Sequence, residues 1–152
     1  MIYERMKNIR EYFDNTQKEV ADTINTTRST YAGWENGIDA IPLTKLNDFC
    51  NFYKVSIDYV CGLTNIKRYD IVNSKIDKIT LGKNLKEVRN RHNDTQRKTS
   101  DIIKVDQSNY SKYELGKFLI HTYPLIDFAK HYKVSIDWLC GKTNNSKIKW
   151  KR

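Results

Sequence analysis

The stretch TQKEVADTINTTRSTYAGWENG, residues 16–37, occurs a second time with variation as TQRKTSDIIKVDQSNYSKYELG, residues 95–116. Each copy opens with a threonine that can cap a helix and continues with small or apolar residues at helical spacing. After a break, a second helix carries two aromatics one turn apart, followed by Glu and a closing Gly. The spacing predicts two short helices joined by a tight turn, and the chain contains this pattern twice.

The second helix of each pattern has one apolar side and one polar side. The aromatics Tyr31 and Trp34, with Tyr110 and Tyr113 in the second copy, are expected to face inward. The residues then expected to face outward are Thr27, Arg28, Ser29, Gly33 and Asn36 in the first copy, and Asp106, Gln107, Ser108, Lys112 and Leu115 in the second. A helix-turn-helix places such a second helix in the major groove of DNA.

The composition suits a protein that binds a polyanion. The 152 residues carry a formal charge of +9, which fits double-stranded DNA but also RNA or a membrane surface. No apolar run is long enough to span a bilayer and the N-terminus lacks a signal-peptide core, so a cytoplasmic protein is expected. The three cysteines and three histidines lack metal-ligand spacing. We expect buried thiols, no metal site, no cofactor and no enzymatic activity, because no nucleophile with a base and no phosphate loop occurs.

The repeat extends beyond the two quoted stretches. KVSIDWLCGKT at residues 133–143 matches KVSIDYVCGLT at residues 54–64 at eight of eleven positions, with a constant offset of 79. KNLKE at residues 83–87 echoes KNIRE at residues 7–11, which would place three extra residues after it in the second copy. The predicted organisation is a first domain over 1–64, a linker over 65–78, a second domain over 79–143 and a basic tail over 144–152.

Both halves resemble helix-turn-helix domains of the Cro and lambdoid-phage-repressor family, the XRE type. The resemblance rests on Gln17, Ala21, Glu35 and Gly37, together with VSIDYVCG, all repeated with variation 79 residues later. It implies an all-α fold of two tandem five-helix lambda-repressor-like domains joined by a short linker. It also implies sequence-specific binding to operator DNA by a symmetric pair of domains.

The predicted DNA contacts fall into two classes. Arg28 can read guanine through O6 and N7, and Gln107 can read adenine through N6 and N7. Gln17 and Gln96 begin helices whose free N–H groups attract a phosphate. The base-reading residues are predicted to be Thr27, Arg28, Ser29, Gln107, Ser108 and Lys112, and the phosphate-binding residues Thr16, Gln17, Asn36, Thr95 and Gln96.

The resemblance also assigns Glu35 and Glu114 a structural role. It pairs Glu35 with Arg10 as a partly buried ion pair that braces the recognition helix. The equivalent expected in the second domain is Lys86 with Glu114.

Several positions depart from the family pattern. Asn25 and Lys104 occupy the turn position where the family most often has Gly, and a left-handed lysine costs about 1 kcal/mol or more. Thr99 and Ser100 replace the more apolar Val20 and Ala21, so we expect the second domain to be the less stable one.

The sequence predicts a transcriptional regulator, most simply a repressor. The alternative is a protein-interaction module, antitoxin-like or anti-repressor, whose domains have partly lost DNA reading. The chain is expected to bind either as an intrachain pseudo-dimer or as a homodimer that pairs through helix five, which carries Cys61 or Cys140. No small-molecule ligand is evident from the sequence.

Charge is distributed unequally between the halves. Residues 1–64 hold 7 basic and 9 acidic side chains, whereas residues 79–152 hold 16 and 7. We therefore expect the second domain to supply most of the electrostatic affinity for DNA.

Overall fold

The computed structural model describes residues 1–68 and 70–148, which form two units divided within the predicted linker. We call residues 1–68 unit 1 and residues 70–148 unit 2. The end of the predicted basic tail, residues 149–152, lies outside the described residues. Each unit has five α-helices among its described residues, which confirms the predicted all-α class.

Unit 1 begins its helices where the sequence offers caps. Thr16 Oγ1 accepts a hydrogen bond from Glu19 N (3.1 Å) while the Glu19 carboxylate accepts one from Thr16 N (2.8 Å). Thr27 Oγ1 accepts from Thr30 N (3.2 Å) at the next helix. The helices of unit 1 are α1 (Ile2–Tyr12), α2 (Gln17–Thr23), α3 (Arg28–Glu35), α4 (Leu43–Tyr53) and α5 (Ile57–Val60).

Unit 2 repeats this order with one longer helix. Asp77 caps its first helix, since Oδ1 accepts from Ile79 N (3.0 Å) and Oδ2 from Thr80 Oγ1 (2.8 Å). The helices of unit 2 are α6 (Lys78–Arg91), α7 (Gln96–Ile102), α8 (Gln107–Glu114), α9 (Thr122–Tyr132) and α10 (Ile136–Leu139).

The expected alignment of KNLKE with KNIRE is wrong. Helix α6 has 14 residues and α1 has 11, and the three additional residues lie at the N-terminal end of α6. Buried Leu85 and Val88 thus correspond to buried Met6 and Ile9, with the offset of 79 kept throughout. The alignment of α6 with α1 therefore follows the buried apolar side chains, and not the Lys-Asn pair that the two helices share.

The helix pair α2–α3, like α7–α8, is held by its aromatics and its turn. Tyr31 and Tyr110 are fully buried, which confirms the predicted inward face. Asn25 and Lys104 both adopt left-handed backbone conformations at the turns, with φ of 57° and 58°. Lys104 therefore carries the steric cost expected of a side chain in that region, about 1 kcal/mol.

The polar residues in the core of unit 2 are hydrogen-bonded. Thr99 is fully buried, and its Oγ1 lies 2.8 Å from Tyr132 Oη. Tyr132 Oη donates in turn to Asp94 Oδ2 (2.8 Å), and Ser100 Oγ donates to Arg97 O (2.8 Å). The two hydroxyls that replace apolar groups are thus satisfied, which removes most of the cost of burying them.

The second half of the predicted linker packs on unit 2. Val72 N donates to Lys142 O (2.8 Å), and the cap at Asp77 follows five residues later. The freely extending part of the linker is therefore shorter than residues 65–78.

Two helical glycines should respond differently to alanine. A Cβ at Gly82 would lie 2.5 Å from Tyr113 O and 2.6 Å from Glu114 O, which are backbone atoms. At Gly33 the nearest atom is Asp39 Oδ2 at 3.0 Å, on a side chain that can move. We predict that Gly82→Ala destabilises unit 2 by about 1–3 kcal/mol, because α6 must move away from α8.

Gly33→Ala is the matched control, and we predict that it is neutral or stabilising by up to about 1 kcal/mol. Urea unfolding followed by circular dichroism measures both changes. The close approach of α6 to α8 would be refuted if Gly82→Ala were as stable as the unmodified chain.

Candidate nucleic-acid interface

The first turns of α3 and α8 present polar side chains to solvent. Arg28 and Ser29 are exposed on α3, and Gln107 and Ser108 are exposed at the equivalent positions of α8. Two neighbours that the sequence reasoning missed, Thr30 and Asn109, are exposed on the same turns. The sequence carries a signal for both residues, because each directly precedes the inward-facing tyrosine and is therefore turned away from the core.

Some predicted contact residues already have a structural role. The hydroxyls of Thr16, Thr27 and Thr95 accept hydrogen bonds from the backbone as helix caps. Gln96 Nε2 donates to Glu114 Oε1 (3.2 Å), so this side chain is tied to the end of α8. Gln17 is half-buried at the first position of α2, and Asn36 is exposed at the C-cap of α3.

The surface at the C-terminal half of the two helices differs from the prediction. Gly33 is buried rather than outward-facing, because the Asp39 carboxylate folds over it. In unit 2 the half-buried Lys112 lies over the ring of Phe118, with Nζ 5.5 Å from its centroid. Leu115 is 64% exposed beside them. The same position of the fold is thus acidic in unit 1 and cationic with apolar neighbours in unit 2.

An arginine–glutamate pair braces α3 in unit 1. Arg10 Nε donates to Glu35 Oε2 (2.9 Å) and Arg10 Nη1 donates to Asn15 O (2.8 Å). The side chains are 12% and 1% exposed, so the pair is largely withdrawn from water. The hydrogen bond from the guanidinium to Glu35 raises the pKa of Arg10 above its usual value. The pair therefore joins α1, the loop before α2 and the last residue of α3.

The equivalent pair in unit 2 has a different cation from the one expected. Glu114 binds Arg89, through Nε to Oε2 (2.7 Å) and Nη2 to Oε1 (2.8 Å), and Arg89 Nη1 donates to Asp94 O (2.9 Å). Lys86 is exposed on α6, so the predicted Lys86–Glu114 pair is wrong. The cause is the register of α6, in which Arg89 and not Lys86 corresponds to Arg10.

Two acids of unit 2 are more acidic than usual. Burial raises the pKa of Glu114, but the hydrogen bonds to its carboxylate, led by those from Arg89, and the positive charge of Arg89 together outweigh burial, so the net pKa lies below the usual value. The pKa of Asp94 is lowered by its contact with Lys98, whose Nζ lies 2.7 Å from Oδ1, and by the hydrogen bond from Tyr132. Both carboxylates stabilise the folded unit in their charged form.

The cysteines of the fifth helix of each unit are buried. Cys61 is 8% exposed and Cys140 is fully buried, so neither thiol is presented on the surface of its short helix. No helix within residues 1–68 and 70–148 is long and apolar enough to cross a membrane.

The two ion pairs should each be worth several kcal/mol to their unit. Removing one partner of a buried pair leaves the other charge uncompensated, so we predict that Glu35→Gln and Glu114→Gln each cost about 3 kcal/mol in unfolding free energy. Lys86→Gln, which removes an exposed charge from the same helix as Arg89, is the control and should stay within about 0.5 kcal/mol. Chemical denaturation measures the unfolding free energy of each variant. A cost for Lys86→Gln equal to that of Glu114→Gln would support the Lys86–Glu114 pair instead.

Unit 2 should lose stability in acid. A carboxylate with a lowered folded pKa stabilises the fold above its unfolded pKa, and that stabilisation is lost as the pH falls through the folded pKa. We predict that hydrogen-exchange protection of α7 and α9 declines as the pH falls below about 4. Asp94→Asn should flatten this decline, and an unchanged pH profile in that variant would contradict the assignment.

Comparison with known proteins also finds two helix-turn-helix segments in the chain. Residues 6–60 match a family model described as helix-turn-helix, and residues 82–144 match a second one described as helix-turn-helix domain. The chain is 31% identical over 106 residues to the uncharacterized HTH-type transcriptional regulator YobD of Bacillus subtilis (strain 168), covering 68% of this chain and 87% of that protein. It is 35% identical over 69 residues to the HTH-type transcriptional regulator ImmR of the same organism, covering 45% of this chain and 54% of ImmR. No solved structure matches the chain.

The matched segments coincide with the two braced helix pairs. Residues 6–60 contain α2 and α3 with Arg10 and Glu35, and residues 82–144 contain α7 and α8 with their counterparts. The chain therefore belongs to the helix-turn-helix family of transcriptional regulators, as a tandem protein of the XRE type.

Proposed function

We propose that this DNA-binding regulator reads sequence by placing α3 and α8 in the major groove. The observation that carries the proposal is the repetition of one exposed polar turn, each on a helix whose far end is braced by a buried arginine–glutamate pair. Positioning of a reading helix by a rigid scaffold is what base recognition requires, because bidentate contacts tolerate little misplacement.

Arg28 and Gln107 are the principal base-reading residues. They occupy the same position, the first residue of α3 and of α8, and both side chains are exposed. A guanidinium pairs with the O6 and N7 acceptors of guanine, and a carboxamide pairs with N6 and N7 of adenine. The two units therefore read different bases at equivalent places, and the preferred site has unequal halves. The exposed Ser29, Thr30, Ser108 and Asn109 complete the two reading surfaces, and Thr27 and Lys112 flank them.

The contacts to the DNA backbone come from the helix starts and from Asn36. Gln17 and Gln96 begin α2 and α7, where the free N–H groups attract a phosphate. Thr16 and Thr95 cap these helices by accepting from Glu19 N and Lys98 N, and the N–H groups of the first two helical residues remain for the phosphate. Because Gln96 also contacts Glu114, its phosphate contact is coupled to the brace of α8.

The two halves of the chain carry unequal charge and contribute unequally to DNA affinity. Residues 79–152 carry 16 basic and 7 acidic side chains against 7 and 9 in residues 1–64. Counterion release scales with the phosphates that a protein neutralises, so residues 79–152 contribute most of the salt-dependent affinity.

A chain with two such units acts most simply as a cytoplasmic repressor that occupies one operator. Helix-turn-helix proteins grip half-sites about 34 Å apart with two domains, and one chain supplies both as a pseudo-dimer. A homodimer with four reading helices is the other arrangement. The mass of the complex on a short duplex distinguishes them.

A protein-interaction role is the second candidate, and a feature of unit 2 favours it. Leu115 and Phe118 are 64% and 55% exposed beside α8, where unit 1 has Asn36 and Asp39. Apolar side chains next to a reading helix suit a protein surface better than a phosphate backbone. In this reading unit 2 is an antitoxin-like or anti-repressor module.

The base-reading assignment is tested on a duplex selected from a random pool. We predict that Arg28→Ala and Gln107→Ala each cost roughly 1–3 kcal/mol on this duplex and relax the preference at one base pair. Lys7→Ala removes the same charge from α1 and is the control for Arg28. Fluorescence anisotropy on the selected and on a scrambled duplex gives the ratio of affinities.

Gln17→Ala and Gln96→Ala should weaken both duplexes alike, because phosphates carry no sequence information. An Arg28→Ala variant with an unchanged ratio of affinities would remove Arg28 from the reading surface. If no duplex is preferred and Gln107→Ala has no effect, the protein-interaction role of unit 2 is the better account.

A further inference from the structure

Unit 1 contains a cleft on α1 that the DNA-reading surfaces do not use. The cleft has a volume of about 750 Å³ and lies between the C-terminal half of α1, the end of α4, α5 and residues 65–68. Small-molecule sites in proteins commonly enclose about 300–1,000 Å³. The size therefore suits a ligand of ordinary metabolite dimensions.

One wall of the cleft is aromatic and largely open to solvent. Tyr12 and Phe13 meet edge to face with centroids 5.1 Å apart, and Phe13 lies 5.2 Å from Tyr53. Tyr12 is 75% exposed and Phe13 is 48% exposed. At the equivalent positions unit 2 has Arg91 and His92, so the helical scaffold does not require this aromatic pair.

The other wall is cationic. The described lining residues include Arg5, Lys67 and Arg68 and no carboxylate. Arg5 is fixed by Nη1 donating to Tyr59 O (2.9 Å), with its guanidinium 4.4 Å above the Tyr59 ring. Lys67 Nζ lies 5.5 Å from the centroid of Tyr12. Three positive charges beside exposed rings, without a counter-charge from the lining, create a site for a negative group.

The cationic wall is held in place by the backbone. Ser56 N donates to Lys67 O (2.7 Å), and Ser56 Oγ donates to Ile66 O (3.4 Å). The segment that carries Lys67 and Arg68 is thereby attached to the start of α5. The residues that line the cleft thus belong to one folded unit.

We propose that this cleft binds a small aromatic anion, a ligand with a flat apolar body and one acidic group. The body stacks on Tyr12 and Phe13, and the acidic group is bound by Lys67 and Arg68. Paired bases of duplex DNA keep their faces inside the stack, so DNA would use the cations without using the rings. The proposal adds a small-molecule site to a regulator whose sequence shows none, and it does not depend on how the DNA is read.

The test uses the full chain and the dye 8-anilinonaphthalene-1-sulfonate, an aromatic anion whose fluorescence rises on binding. We expect one equivalent per chain, with N-phenyl-1-naphthylamine, its uncharged counterpart, binding roughly tenfold more weakly, because hydrogen bonds to a charged group contribute on that scale. The double substitution Lys67→Gln with Arg68→Gln should remove the preference for the anion. Tyr12→Ser, at an exposed position, should weaken both compounds.

Matched controls are Lys75→Gln and Tyr123→Ser, which remove an exposed cation and an exposed aromatic from unit 2. Circular dichroism verifies that every variant is folded. The proposal is overturned if the neutral compound binds as tightly as the anion, or if the Lys67 and Arg68 substitutions act no more strongly than Lys75→Gln. It is also overturned if Tyr12→Ser leaves dye binding intact while a random duplex displaces the dye, since the cations then serve DNA.

Discussion

The positions of α3 and α8 each depend on one arginine that joins three parts of its unit. Arg10 projects from α1, hydrogen-bonds Asn15 O in the loop before α2, and pairs with Glu35 at the end of α3. Arg89 makes the same three-way connection to Asp94 O and Glu114. A largely buried charge pair is stable only with both partners present, so the helices cannot shift without breaking it. The polar turn at the other end of α3 or α8 is then presented in one orientation.

Upon this shared scaffold the two units present different chemistry. The first residue of α3 is Arg28, and the first residue of α8 is Gln107. The adjoining surface is closed by Asp39 in one unit and formed by Lys112 and Phe118 in the other. Because the differing residues lie outside the core, sequence change there costs little stability. Under the proposed function, the tandem arrangement allows one chain to recognise a site with unequal halves.

Much of this fold could be predicted from the sequence, because local rules govern it. The threonine caps and the inward tyrosines follow from spacing alone. The ion pair of unit 2 was mispredicted because Lys-Asn is repeated at an offset of 76, whereas the buried side chains repeat at 79. The burial of Gly33 depends on Asp39, which folds back from the following loop. The cleft joins side chains from α1, α4, α5 and the following segment, and such long-range proximity has no signature in the sequence.

The central claim is that α3 and α8 contact bases from the major groove. Dimethyl sulfate footprinting of the full chain on its selected duplex tests this directly, because guanine N7 lies in the major groove and adenine N3 in the minor groove. The account predicts protection of guanine N7 in the half of the site that unit 1 contacts, loss of one protected guanine with Arg28→Ala, and unchanged reactivity at adenine N3 throughout the site. Protection of adenine N3 with guanine N7 left reactive would contradict it.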